Sequence, residues 1–266
     1  MMPSSPRVKY WRDKFQAGET LFTAACASAS EAEACLAMAP DLIVFHPGFP
    51  KGHSPGETGM LGALEPMGNA NEAAALGFLP LPSLCAPCPV AMGICGTDPF
   101  LLPISAFPAW RKSGLEGIAN YPTIGLTDGL FRSDLESTGF GIAQEIDCLR
   151  KAHEAGFFTL GFVSRPQEAA AFAEAGCDAL VLHLGLTPDF TPRPLAKSLE
   201  DVWEQYLAAL GSRGPLLLLH GEHLVDADDD AAWMSSVRES AGLFAMGGLE
   251  RIITLRALTG KQNSKR

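Results

Sequence analysis

Several absences narrow the field before any motif is read. No apolar run reaches the ~18 residues that a bilayer-spanning helix needs, so no membrane span is expected. Residues 1–16 hold no apolar stretch of the secretory kind, and Arg7, Lys9, Arg12 and Lys14 interrupt them. No basic cluster precedes residues 261–266, and the net charge is -10. Nucleic acid and anionic membrane are therefore not expected partners, because both attract basic patches. No strand-like run leads into Gly-x-Gly-x-x-Gly, the dinucleotide fingerprint. The seven cysteines are scattered and odd in number, which suits a reducing cytoplasm. Cys85-x-x-Cys88, with Cys95 nearby, has neither a second ligand pair nor a redox setting, and reads as buried or loop cysteine.

What is present is a chain of 266 residues, 47% apolar and 19% charged, enough to bury a large core. Barrels of about 250 residues form one domain, so residues 1–266 are expected to be a single unit, with residues 1–18 a helical cap and residues 261–266 a flexible tail. Ser5-Pro6 opens a short helix over Val8 to Phe15 that could plug the bottom of a barrel. Apolar runs then recur: Thr20 to Ala25, Asp41 to Phe45, Pro89 to Cys95, Thr123 to Thr127, Phe158 to Val163, Ala179 to Leu182, Pro215 to Leu219 and Leu243 to Met246. Continuous apolar runs suit parallel strands covered on both faces. Helical segments follow them, two with Ser-x-x-Glu/Gln box signals at Ser28 and Ser164. Eight strand–helix units predict a (β/α)8 TIM barrel with an extra N-terminal helix.

In that architecture the chemistry sits where strands end. Those positions are Cys26, His46, Thr97 with Asp98, Asp128, Ser164, His183, His220 with Glu222 and His223, and Gly247 with Gly248. Imidazoles and carboxylates converging on one mouth suit metal ligation or acid–base work on a small molecule. If Thr123 to Thr127 is the fourth strand, Asp98 and Asp128 end neighbouring strands and could share a divalent cation, with Mg²⁺ or Mn²⁺ favoured by hard oxygen ligands. Gly247 and Gly248 ahead of the last helix could hold a phosphate or carboxylate. The polar stretch after Asp128 reads as a long loop, and Arg132 on it could close over an anionic substrate; an ordinary Arg132–Glu136 surface pair is the alternative.

Long motifs carry a resemblance. Gly96-Thr97-Asp98-Pro99-Phe100, residues 120–132 (NYPTIGLTDGLFR), Leu135-Glu136-Ser137-Thr138-Gly139 with Glu145, and His183-Leu184-Gly185-Leu186-Thr187 resemble the phosphoenolpyruvate hydrolase-like TIM-barrel family. The resemblance implies a barrel of the phosphoenolpyruvate- and pyruvate-handling type, with a divalent metal and a carboxylate or enolate-forming substrate. The chain departs from the family pattern after the second strand (His46-Pro47-Gly48), after the seventh (His220-Gly221-Glu222) and after the eighth (Gly247-Gly248-Leu249). The expected activity is a metal-assisted lyase or hydrolase acting on a small 2-oxo acid or enol-phosphate through an enolate. Asp128, His183, His220 and Arg132 would be catalytic, and His46, Thr97, Glu222, Gly247 and Gly248 would bind the anion. The competing expectation is a non-catalytic ligand-binding or regulatory barrel. A homo-oligomer is expected in either case.

Overall fold

The computed structural model describes residues 6–46, 71, 81–86, 88–98, 103–183, 199–211, 214–220 and 240–245. Eight parallel strands close into a barrel in sequential order. They are β1 (Leu21–Cys26), β2 (Leu42–Phe45), β3 (Val90–Gly93), β4 (Gly117–Ala119), β5 (Phe158–Val163), β6 (Ala179–Leu182), β7 (Leu216–His220) and β8 (Gly242–Ala245). Closure is made by β1 against β8, with Leu21 opposite Gly242 and Ala24 opposite Ala245. The described helices are α1 (Pro6–Gln16), α2 (Ala29–Leu36), α3 (Leu81–Leu84), α4 (Pro103–Lys112), α5 (Gly129–Ser137), α6 (Ile142–Glu154), α7 (Pro166–Glu174) and α8 (Leu199–Leu210). No helix among the described residues is long and apolar enough to cross a membrane.

Two apolar layers explain the unbroken hydrophobic runs. Leu42 and Val44 of β2 and Phe158, Leu160 and Phe162 of β5 fill the barrel interior. Their neighbours in sequence, Ile43, Phe45 and Val163, face outward into the layer beneath the helices. Period-two strands buried on both faces therefore show no polar face at all. Trp11 of α1 is fully buried in the interior cluster, with its ring 4.8 Å from Phe158 at the start of β5. The N-terminal helix thus does plug the floor.

The floor is stapled by two aspartates. Asp41, just ahead of β2, accepts from Phe22 N (2.9 Å) and from Lys14 Nζ (2.6 Å). Asp178, just ahead of β6, accepts from Thr159 N (2.9 Å) and Thr159 Oγ1 (3.1 Å), with His153 Nδ1 3.4 Å away. Each carboxylate pairs a backbone N–H that the short neighbouring strand would leave unmet at the rim. The capping box at α2 forms as read: Ser28 Oγ accepts from Glu31 N, and Glu31 Oε2 accepts from Ala27 N. The box read at Ser164 does not. Arg165 is the N-cap of α7 without a side-chain bond, Pro166 takes the first turn, and Glu168 rather than Gln167 reaches back to Ser164 N (3.4 Å).

The fourth strand is also not where its sequence suggested. β4 is Gly117–Ala119, and Ile124–Leu126 is a 3₁₀ turn. Thr123 Oγ1 accepts from Gly125 N (3.0 Å), a local bond that offers the backbone an alternative to a sheet ladder. The β-branched residues that looked like a strand are therefore a capped turn.

Burial pushes the Asp178 carboxyl above its ordinary range, against the opposing pull of the Thr159 donors and His153. A carboxyl raised in the fold contributes stability below the unfolded value, and loses it as pH rises through the folded value. Asp178→Asn keeps an acceptor for Thr159 and removes the buried charge. The variant's stability relative to the parent should therefore improve as pH rises from about 3 to about 7. Urea unfolding of both proteins across that range checks it; a relative stability that falls as pH rises contradicts it.

Candidate functional site

Because β4 is so short, its mouth end is completed by side chains. Asn120 continues the ladder toward β5: Phe162 N donates to Asn120 Oδ1 (2.6 Å), and Asn120 Nδ2 donates to Phe162 O (3.2 Å). Glu145 of α6 has no solvent exposure, and its carboxylate accepts from Asn120 Nδ2 (2.7 Å), Thr123 Oγ1 (2.7 Å) and Ile124 N (2.8 Å). A buried carboxylate needs such donors, and these tie α6 to the turn that leaves β4. Asn71 does the same service for β3. It donates to Cys95 O (2.9 Å), accepts from Cys95 N (2.8 Å) and donates to Asp98 Oδ2 (3.0 Å). Nothing in the sequence around Asn71 marks it as a site residue. Asn120 and Glu145 stood in the quoted motifs without a role.

The polar stretch after Asp128 is helical, not a long loop. Asp128 is the exposed N-cap of α5, well beyond the end of β4, and makes no side-chain capping bond. Arg132 is buried rather than poised over the mouth. It donates through Nη1 to Ile124 O (2.7 Å), through Nη2 to Glu168 Oε1 (3.0 Å) and through Nε to Glu136 Oε1 (2.7 Å). Ser164 Oγ joins this network through Gly125 O. The rigid five-donor guanidinium holds the 3₁₀ turn, α5 and α7 together. The lid reading of Arg132 is thus replaced by a structural one, and the Arg132–Glu136 pair forms with Arg132 buried.

Three histidines behind strands do converge. His46 after β2, His183 after β6 and His220 at the end of β7 are all buried. The rings of His183 and His220 lie 4.1 Å apart at 31°, and His220 stacks on Phe244 of β8 at 5.6 Å. His46 meets Tyr121 edge-on at 5.6 Å, Tyr121 meets Phe162 at 4.7 Å, and Phe162 lies 6.4 Å from His183. A continuous floor of rings therefore runs across the upper barrel. Gly93 permits it: a Cβ there would collide with Tyr121 O and press on His46 Cβ.

Thr97 is buried beside Asp98, which is half-buried in the turn after β3. The shared-cation reading required Asp128 to end the neighbouring strand, and that placement does not hold. Among the described residues no group of three or more His, Cys, Asp or Glu forms a metal cage. Mg²⁺ commonly takes one or two carboxylates and fills the rest of its shell with water and substrate. Asp98, oriented by Asn71, fits that smaller demand. Glu222, Gly247 and Gly248, with His53 and His223, lie outside the described residues. All seven cysteines are free, and burial pushes the thiols of Cys35 and Cys148 up, to about 11 and about 12. These thiols are poor nucleophiles in that state.

Residues 8–265 match the phosphoenolpyruvate hydrolase-like family. The chain belongs to that family. Among curated proteins this family member is similar to the ToMV resistance protein Tm-1(GCR237) and the ToMV susceptible protein tm-1(GCR26) of Solanum lycopersicum. Each is 33% identical over 176 residues, covering 64% of this chain and 23% of the relative. The matched region is thus about a quarter of those relatives' length. Among solved structures, 2,3-dimethylmalate lyase, a PEP mutase/isocitrate lyase superfamily member, has a TM-score of 0.57 at 13% identity, covering 98% of this chain and 88% of that one. Phosphonopyruvate hydrolase in complex with oxalate and Mg²⁺ has a TM-score of 0.55 at 15% identity, covering 97% and 84%. Phosphoenolpyruvate phosphomutase from Streptomyces platensis subsp. rosaceus has 0.57 at 13%, covering 97% and 86%. At these identities the structures establish the shared barrel fold.

Arg132 and Glu168 are each 7% exposed at the side chain. Replacing Arg132 by Met leaves the buried Glu168 with only the longer Arg165 Nε contact, at 3.8 Å, which should destabilise the fold by about 3 kcal/mol. Chemical unfolding in the absence of any substrate measures this; unchanged stability would return Arg132 to a surface or ligand role.

Proposed function

We propose that this family member is a metal-assisted hydrolase or lyase acting on a small 2-oxo acid or enol-phosphate through an enolate. The observation that carries the reading is the buried His183–His220 pair, with ring centroids 4.1 Å apart at the strand ends of a closed barrel. Family membership supports the substrate class. The fold shared with phosphonopyruvate hydrolase, which was solved with oxalate and Mg²⁺, is compatible with it.

A Mg²⁺ or Mn²⁺ ion held by Asp98 would supply Lewis acidity at the substrate's oxygens. His183 or His220 moves the proton at the enolate-forming carbon or the leaving oxygen. Thr97 and His46 face the anionic part of the substrate, and Glu222, Gly247 and Gly248 belong to the same proposed anion site. Asp128, exposed on the mouth side ahead of α5, remains in the proposal as a second carboxylate. The aromatic floor of Tyr121, Phe162 and Phe244 keeps water from reaching the intermediate from below.

The test is turnover of a panel of 2-oxo acids and enol-phosphates with Mg²⁺ or Mn²⁺ present. His183→Gln and His220→Gln should each lower kcat by about 10²- to 10⁴-fold, with near-ultraviolet circular dichroism unchanged. Parent-like turnover in both variants would defeat the proposal. Saturable binding by the parent without turnover would instead establish the non-catalytic barrel, which the departures from the family pattern after β2, β7 and β8 motivate.

A further inference from the structure

A two-strand unit of one half of the barrel repeats in the other. Residues 21–46 and residues 158–183 align without a gap, and their elements coincide: β1 with β5, α2 with α7 and β2 with β6. Glu31 falls on Glu168, Asp41 on Asp178, Val44 on Val181 and His46 on His183. The hydrogen bonds coincide as well. Glu31 accepts from Ala27 N as Glu168 accepts from Ser164 N, the residues matched to each other. Asp41 accepts from Phe22 N as Asp178 accepts from Thr159 N, and in return Asp41 N donates to Phe22 O (2.7 Å) as Asp178 N does to Thr159 O (3.2 Å). Ala39 and Gly176 both have positive φ, 48° and 89°. His46 N donates to Cys26 O (3.0 Å), and His183 N donates to Val163 O (2.9 Å).

This repeat has a consequence at the mouth. β2 and β6 are four strands apart in a closed eight-stranded barrel, so they stand on opposite sides of its axis. Equivalent backbone bonds then place His46 and His183 at equivalent depth, only 2% and 1% exposed, with Tyr121 and Phe162 as the floor between them. Asp98, half-buried, stands in the β3 turn on the His46 side, next to β2. An imidazole N–H donates to a carboxylate oxygen in either protonation state, and more strongly when charged.

We propose that the ligand lies across the mouth with one anionic group held by His46 and a second held on the side of His183 and His220. The site then selects a linear acid with two anionic ends over one with a single end, and His46 is the specificity residue for the second group. The inference rests on the mouth being the acid-binding site of the proposed function, and it adds a role for His46 that the chemistry at His183 does not require.

Calorimetric titration of the full chain in the presence of Mg²⁺ tests it, with oxalate, malonate and succinate against acetate, pyruvate and butyrate. The parent should bind its best diacid at least about tenfold more tightly than any monoacid. His46→Leu, which has no donor, should lower diacid affinity at least about tenfold more than monoacid affinity. His46→Gln, which retains a side-chain N–H, should recover part of the difference. Equal affinities for the two classes in the parent, or unchanged diacid affinity in a folded His46→Leu protein, overturns this inference and leaves the proposed function standing. Failure of the parent to bind any acid overturns the proposed function together with this inference. Should His46→Leu not fold, the parent's diacid-to-monoacid ratio and His46→Gln decide the question.

Discussion

Closing very short parallel strands into a barrel leaves backbone N–H and C=O groups at both rims without ladder partners, and the structure is arranged around meeting them. β4 has three residues and β2, β3, β6 and β8 have four each. At the floor, Asp41 and Asp178 answer the backbone of Phe22 and Thr159. At the mouth, Asn71 and Asn120 each give a donor and an acceptor to a strand that has run out of neighbours. A buried amide left unpaired is penalised by a few kcal/mol, comparable with the whole margin of folding for a domain. The polar residues inside this apolar shell are there chiefly for that reason.

The same constraint shapes the functional end. Glu145 is buried because Asn120, Thr123 and the Ile124 amide all donate to it, and its position on α6 fixes how the chain leaves β4. Arg132 then locks the following turn to α5 and α7. These charges are committed to holding the segment after β4. What remains at the strand ends among the described residues is a ring-lined mouth with His46, His183 and His220 and one oriented carboxylate, Asp98. Chemistry built on imidazoles over an aromatic floor suits proton movement in a poorly hydrated site better than it suits a carboxylate-rich metal cage.

The barrel is a frame on which many chemistries are grafted, so its presence says little about the reaction. The family match covers nearly the whole chain, whereas the two Solanum lycopersicum relatives share about a quarter of their own length with it. The reading of function accordingly rests on the mouth. The correspondence between residues 21–46 and residues 158–183 supplies an internal comparison, because both segments meet the rim with an aspartate and carry a histidine to equivalent positions.

The strands other than β4 were legible in the sequence to within a residue or two, because strands buried on both faces must be apolar throughout and turn residues bound them. Positions behind strands, such as His183 and His220, followed from strand order alone, since parallel barrels put every strand's C-terminal end on one side. Local pattern failed where a tertiary partner decided the outcome. Thr123 to Thr127 has strand-forming residues, but Thr123 Oγ1, the Glu145 carboxylate and the Arg132 guanidinium hold it as a turn, and two of those partners come from helices farther along the chain. The fate of Arg132 turned on Glu168, 36 residues away, and the pairing of His183 with His220 on the distance between two strand ends. Periodicity records which face of a segment is buried; which polar group meets which across the fold depends on separations that only the closed barrel sets.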